Sequence, residues 1–241
     1  MPHIPVETAG ASPASDHFGA EYFCQRQGND PRRQRSFAQE RAYLLRWLGQ
    51  EAFVTGTLLD VGCSTGEFID ALGWNRDRIY GMEISAYARE VAARKGVRFD
   101  RDLLNAEEFF DLIVFRGTIQ YISNPFHYIQ RAFQSLKPGG HIVFIATPNT
   151  NSPYYRHFGT LPFLEEPVNY WIPADASLRM VLSNCGFALV DLCHPYFGTP
   201  YAQPLRDHVR FLFKILFRTR TKFAFRRSML WALARKPALA Q

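Results

Sequence analysis

Cysteine is scarce. The four present, Cys24, Cys63, Cys185 and Cys193, form no CxxC pair and stand at no zinc-type spacing from histidine. A disulfide framework and a structural metal site are therefore not expected, and free thiols in a reducing compartment are. Long apolar runs are missing too, far short of the roughly 20 residues that span a bilayer. Residues Met1 to Glu7 carry no basic segment followed by an apolar core, so a signal peptide is not expected and a cytoplasmic setting is. Two phosphate-binding fingerprints are absent, GxGxxG and GxxxxGK(S/T), which argues against a dinucleotide site and a P-loop. Neither an RNA-binding motif nor an accessory nucleic-acid module is visible.

What is present is an ordinary globular composition, 47% hydrophobic and 21% charged over 241 residues. That length suits one large domain with appendages. The net charge of +6 is unevenly placed. Ten Lys/Arg and one acid, Asp207, lie between Arg206 and Lys236, while the rest of the chain holds 18 basic and 21 acidic residues. The basic character thus belongs to the C-terminal segment.

Residues 1–34 read as a mobile N-terminal tail, its first part rich in Ala, Ser and Pro without periodicity. Phe37, Tyr43, Leu44, Trp47 and Leu48 have the spacing of an amphipathic helix. Then strands and helices alternate. Strand patterns lie at Thr57–Val61, Arg78–Glu83, Val97–Arg101, Asp111–Phe115, His141–Ala146 and Phe187–Cys193. Helical patterns lie between them, and Lys137-Pro138-Gly139-Gly140 has turn chemistry. The alternation predicts an α/β fold, a doubly wound and mostly parallel Rossmann-like sheet with helices on both faces. The domain should run over 35–204, with an aromatic lid insertion at about 148–173 lying over the carboxyl ends of the strands. Residues 205–241 should form a basic amphipathic helical extension, because Val209, Leu212, Phe213, Leu216 and Phe217 share one helix face. On a continuous helix, Arg206, Arg210, Lys214, Arg218, Lys222 and Arg226 would wind as a basic stripe.

The most informative stretch is Leu58-Leu59-Asp60-Val61-Gly62-Cys63-Ser64-Thr65-Gly66-Glu67-Phe68, followed after one more strand by Glu83. Glycines at a strand-to-helix turn let the backbone approach a ligand closely. An acid ending the second strand can accept both hydroxyl hydrogens of a ribose. With Gly81-Met82-Glu83-Ile84-Ser85, Asp102-Leu103, Phe110–Phe115 and Leu136–Gly140 following in order, the chain resembles class I S-adenosylmethionine-dependent methyltransferases over roughly residues 55–193.

The resemblance implies S-adenosyl-L-methionine as cofactor, and the Cys/His spacing leaves no metal expected. It implies that Asp60 helps hold the methionine amino end and that Gly62 and Gly66 admit the cofactor to the backbone. Cys63 and Ser64 complete that loop, Cys63 as a small residue filling the tight turn. Glu83 would clamp the ribose with Ile84 against the adenine. Asp102 would receive the adenine amino group with Leu103 beside it, and Phe115 and Arg116 would lie near the sulfonium. Ser64 stands where the family more usually has glycine, a change with little effect if its φ is negative. Gln120-Tyr121 stands where many relatives carry a histidine. Candidate catalytic residues on the acceptor side are therefore His157, His127 and Tyr121.

Arg116-Gly117-Thr118-Ile119 lacks the motif of adenine-methylating enzymes, and no cysteine nucleophile follows the fourth strand. The whole pattern resembles small-molecule methyltransferases of surface-polysaccharide and natural-product biosynthesis. The expected acceptor is a hydroxyl of a sugar or related metabolite. An RNA methyltransferase using the basic tail, a membrane-associated quinone-type enzyme and a non-catalytic cofactor-binding module are the alternatives. A peripheral membrane or phosphate contact through 206–236 and a homodimer are left open as partners.

Overall fold

Leu58–Val61 is buried at every position and forms β1, an interior strand of the sheet. The computed structural model describes residues 19–26, 30–162, 164 and 169–238. Their element order is α1 (Ala20–Arg26), α2 (Pro31–Thr55), β1, α3 (Glu67–Leu72), β2 (Ile79–Met82), α4 (Ala86–Arg94), β3 (Phe110–Arg116), α5 (Pro125–Ser135), β4 (Leu136–Pro148), α6 (Pro153–Phe158), α7 (Asp175–Asn184), β5 (Ala188–Cys193), α8 (Pro204–Phe217) and β6 (Met229–Arg235). The strands form one sheet in the order β2-β1-β3-β4-β6-β5. β2, β1, β3 and β4 run parallel, whereas β6 pairs antiparallel with both β4 and β5.

The period-2 alternation of strand side chains splits the core into two layers. Leu59, Val61, Ile113 and Phe115 pack on one face with Ile129 and Ala132 of α5 and Leu178 and Leu182 of α7. Leu58, Leu112 and Val114 pack on the other with Phe37 and Leu44 of α2 and Phe68 and Leu72 of α3. Asp30 starts α2: its side chain accepts from the Arg32 N–H, with Pro31 at the first helical position. The helix is interrupted at Gly49, where φ is 77°.

Five expectations change. Residues 205–241 are not a separate helical extension, because α8 ends at Phe217 with Arg218 in the left-handed region and residues 229–235 become β6, between β4 and β5. The continuous basic stripe is broken at the same point. The third strand is reduced to a bridge between Tyr80 and Arg98, held by Gly81 N–H to Arg98 O and Arg98 N–H to Ile79 O. Lys137–Gly140 is the irregular beginning of β4, where Gly139 N–H donates to Lys236 O and Lys236 N–H to Gly140 O. At the N-terminus residues 1–18 lie outside the described residues, but 20–26 and 31–34 are helical.

Candidate active site

The turn after β1 makes a demand that ordinary backbone does not meet at three alternate positions. Gly62, Ser64 and Gly66 have φ values of 77°, 53° and 76°. Gly62 also lies so close to Thr118 that an added Cβ would fall 2.5 Å from its Cγ2. The loop is pinned to the end of β2, because Gly62 N–H and Cys63 N–H both donate to Met82 O. Ser64 therefore departs from expectation: it sits in the left-handed region that costs an L-residue about 1–2 kcal/mol. One hydrogen bond accompanies that conformation, from Ser64 N–H to Glu83 Oε2 at 2.9 Å. The other Glu83 oxygen accepts from Ser85 N–H at 2.9 Å. Burial raises the Glu83 carboxyl above its ordinary range, and the N–H donors of Ser85, Ser64 and Ile84 pull back against that rise.

These residues border a cavity of about 410 Å³, within the size range of small-molecule sites. Gly62, Ser64, Glu83, Ile84, Arg116 and Tyr121 line it, so six of the expected site residues are brought together. Cys63 and Gly66 of the turn and Asp60 of β1 do not line the cavity. Cys63 packs against Gly81, whose missing Cβ would stand 2.7 Å from the sulfur. Asp60 is buried, and its Oδ1 has no hydrogen-bond partner. Burial pushes its carboxyl up to about 7, opposed by the charge of Arg116 and reinforced by Glu83 and Glu40.

The remaining expected residues lie elsewhere. Phe115 is fully buried and stacked on Phe144, and Leu103 is core. Asp102 accepts from Leu104 N–H within its own turn at 2.8 Å. Its charge still reaches the hydroxyl of Tyr128, which does line the cavity. Neither expected histidine borders the cavity. His127 is exposed at the start of α5. His157 is exposed on α6, with Phe211 of α8 5.4 Å away ring to ring. The reason is that α6 packs on the C-terminal segment: Tyr154 is fully buried against Phe223 and Phe225, and its hydroxyl donates to Thr221 O. Among the described residues, the end of the aromatic insertion meets the segment that follows β3, where Tyr170 N–H donates to Gln120 O. Residues 163 and 165–168 of that insertion lie outside the described residues.

Sequence reasoning missed the lining residues Tyr22, Phe23 and Arg33, and Glu40, which supports the lining residue Arg116 without bordering the cavity itself. Tyr22 and Phe23 come from α1, inside the stretch expected to be a tail; paired aromatics in an otherwise polar segment were the available signal. Glu40 holds Arg116 from beneath, and its place between Phe37 and Leu44 on the apolar stripe of α2 was legible as a buried acid needing a cation. Arg33 also lines the cavity and pairs with Glu67 at 2.9 Å.

Chemically, the turn offers backbone for close approach, Glu83 offers carboxylate oxygens, and Asp60 offers a buried acceptor in need of a cationic donor. That set fits S-adenosylmethionine, whose amino group and ribose supply those complements. Residues 30–192 match the family described as methyltransferase domain. A ubiquinone biosynthesis O-methyltransferase of Thiobacillus denitrificans is 28% identical over 123 residues, 46% of this chain and 53% of that protein. One of Saccharophagus degradans is 30% identical over 172 residues, 64% of this chain and 70% of that protein. The chain spans about half the length of most of these curated relatives. The structure of a methyltransferase in complex with the Haloferax volcanii Trm112 activator aligns with a TM-score of 0.63 at 17% identity, covering 94% of this chain and 99% of that one. At that identity the likeness speaks for the fold. With the matched span exceeding half the chain and the turn and its facing acid in place, the protein belongs to the class I S-adenosylmethionine-dependent methyltransferases.

Proposed function

We propose that the protein methylates a hydroxyl of a small, ring-bearing acceptor. The observation that carries this is the continuity of one cavity, lined both by the loop of Gly62 and Ser64 with the acid Glu83 and by the aromatic and apolar residues Tyr22, Phe23, Tyr121, Ile122 and Tyr128. Aromatic walls offer flat apolar contact to a ring with polar tips for its hydroxyls. The O-methyltransferase names of the curated relatives support the same reading.

S-adenosylmethionine, when bound, supplies an activated methyl on a sulfonium. The chain's residues then have positioning work to do. Asp60 is assigned to the amino end, Glu83 to the ribose, and Ile84 with Met82 to the adenine. Tyr121, the expected catalytic candidate that borders the cavity, is assigned to orient the acceptor hydroxyl. The barrier falls chiefly by alignment and by exclusion of water.

A sugar hydroxyl remains the acceptor favoured by the sequence, and a phenol suits the same wall. The test is incubation with isotope-labelled S-adenosylmethionine and parallel panels of nucleotide sugars, free sugars, phenols, amines and RNA, with products resolved by mass spectrometry. Label on an oxygen of one panel, lost in Glu83→Ala, is the expected result. Label confined to nitrogen acceptors or to RNA would overturn it.

A further inference from the structure

Helix α8 is turned inside out. Its charged residues Asp207 and Lys214 are buried. Asp207 accepts from the Tyr196 hydroxyl and from Gln203 N–H, and Lys214 donates to Thr219 O and Thr221 O. Most of its apolar residues face solvent, with Phe211 packed inward on Phe225. Leu205 is 88% exposed and Leu216 74%, with Val209, Leu212 and Phe213 exposed between them. At about 3.6 residues per turn these five share one side of the helix. So concentrated an apolar sector on a surface marks an interaction site.

The charge around the sector selects the partner. Arg206 and Arg210 border it on the helix, and Arg218, Arg220, Lys222 and Arg226 are exposed in the segment that follows. The one acid of α8, Asp207, is the buried one. A second copy of the chain docked about a two-fold axis would press this positive surface against itself. An anionic bilayer meets both requirements, with acyl chains for the leucines and phosphates for the arginines. The helix has 14 residues, about 21 Å, which is too short to cross a bilayer and suited to lying in its plane. The chain enters α8 from beside the catalytic cavity, because Tyr201 feels the charges of Arg116 and Arg33, both of which line it.

We propose that α8 docks the protein on an anionic lipid surface, its apolar side inserted at the headgroup boundary and its basic neighbours on the lipid phosphates. The test is flotation of the full chain with phosphatidylcholine vesicles, with and without phosphatidylglycerol, at low salt, beside the double variant Leu212→Glu/Leu216→Glu. Both positions are exposed, and an unchanged S-adenosylhomocysteine affinity will certify the variant's fold. Expected is flotation with the anionic vesicles only, weakened on the order of tenfold or more in the variant. The proposal is overturned if the wild-type chain stays unbound, if the variant floats equally well, or if light scattering finds a dimer that the variant dissolves without any flotation. The readout is binding, so its failure is distinct from failure of the acceptor assignment.

Discussion

Arg116 and Glu40 grip each other through two parallel hydrogen bonds, Nε to Oε2 at 2.7 Å and Nη2 to Oε1 at 3.0 Å. Phe37 and Phe68 lie against the same guanidinium, 4.6 and 5.3 Å from ring centre to Cζ. The pair fastens the end of β3 to α2 and fixes one wall of the cavity. Removing one partner strands the other charge in a poorly solvated place. Glu40→Ala is therefore expected to lower stability by about 3–5 kcal/mol, with Glu40→Gln losing less, as read by urea unfolding.

Asp60 makes the site sensitive to pH. Its folded-state pKa of about 7 stands above the unfolded value near 3.9. Between those values the native state holds a proton that the unfolded chain has released. Stability of the ligand-free protein should therefore fall as pH rises from about 4 to about 7. Affinity for S-adenosylhomocysteine should rise over the upper part of that window, as the carboxylate forms. In Asp60→Asn both slopes should flatten. Unfolding and calorimetric titrations at pH 5.5 and 8 will check the pair, and a wild-type affinity independent of pH would contradict the assignment.

Glu83 is expected to dominate cofactor affinity. A hydrogen bond to a charged group contributes about 1.5–3 kcal/mol, so Glu83→Ala should weaken S-adenosylhomocysteine binding roughly 10- to 150-fold. Circular dichroism should show the secondary structure retained.

Ser64 invites the opposite change. Replacing it by glycine removes left-handed strain of about 1–2 kcal/mol and adds unfolded-state entropy worth about 0.4–1 kcal/mol. Ser64→Gly should thus be stabilising by roughly 0.5–1 kcal/mol, seen as a Tm rise of a few degrees.

Ending the chain after Arg227 should abolish cooperative folding. The loss of β6 would strip hydrogen-bond partners from β4 and β5 together and leave two bare edges in the sheet. The expected readout is a featureless thermal melt with aggregation.

Where the sequence was readable, its signals were local. The Gly62–Gly66 turn and Glu83 are separated by one βα unit, and residue type alone states what such a turn needs. β6 was hidden because Met229-Leu230-Trp231-Ala232-Leu233-Ala234 is covered on both faces. A short run of that kind shows neither period and follows directly upon a helical basic pattern. The periodicity of α8 was correct, but a period reveals only that a helix has an apolar side, not what lies against it. His157 was misplaced for a related reason: nothing in the Pro153–Phe158 segment records that its partner is Phe211.

The position of β6 also shapes how the chain is made. Arg235 and Lys236 close onto Gly139 and Leu136, 96 and 100 residues upstream. A nascent chain exposes β4 long before its neighbour is synthesised, and contacts of such span are slow to form. Any product of a premature stop ahead of β6 would keep that raw margin and be open to degradation. The expected consequence is that the sheet closes only once the chain has been completed through Arg235.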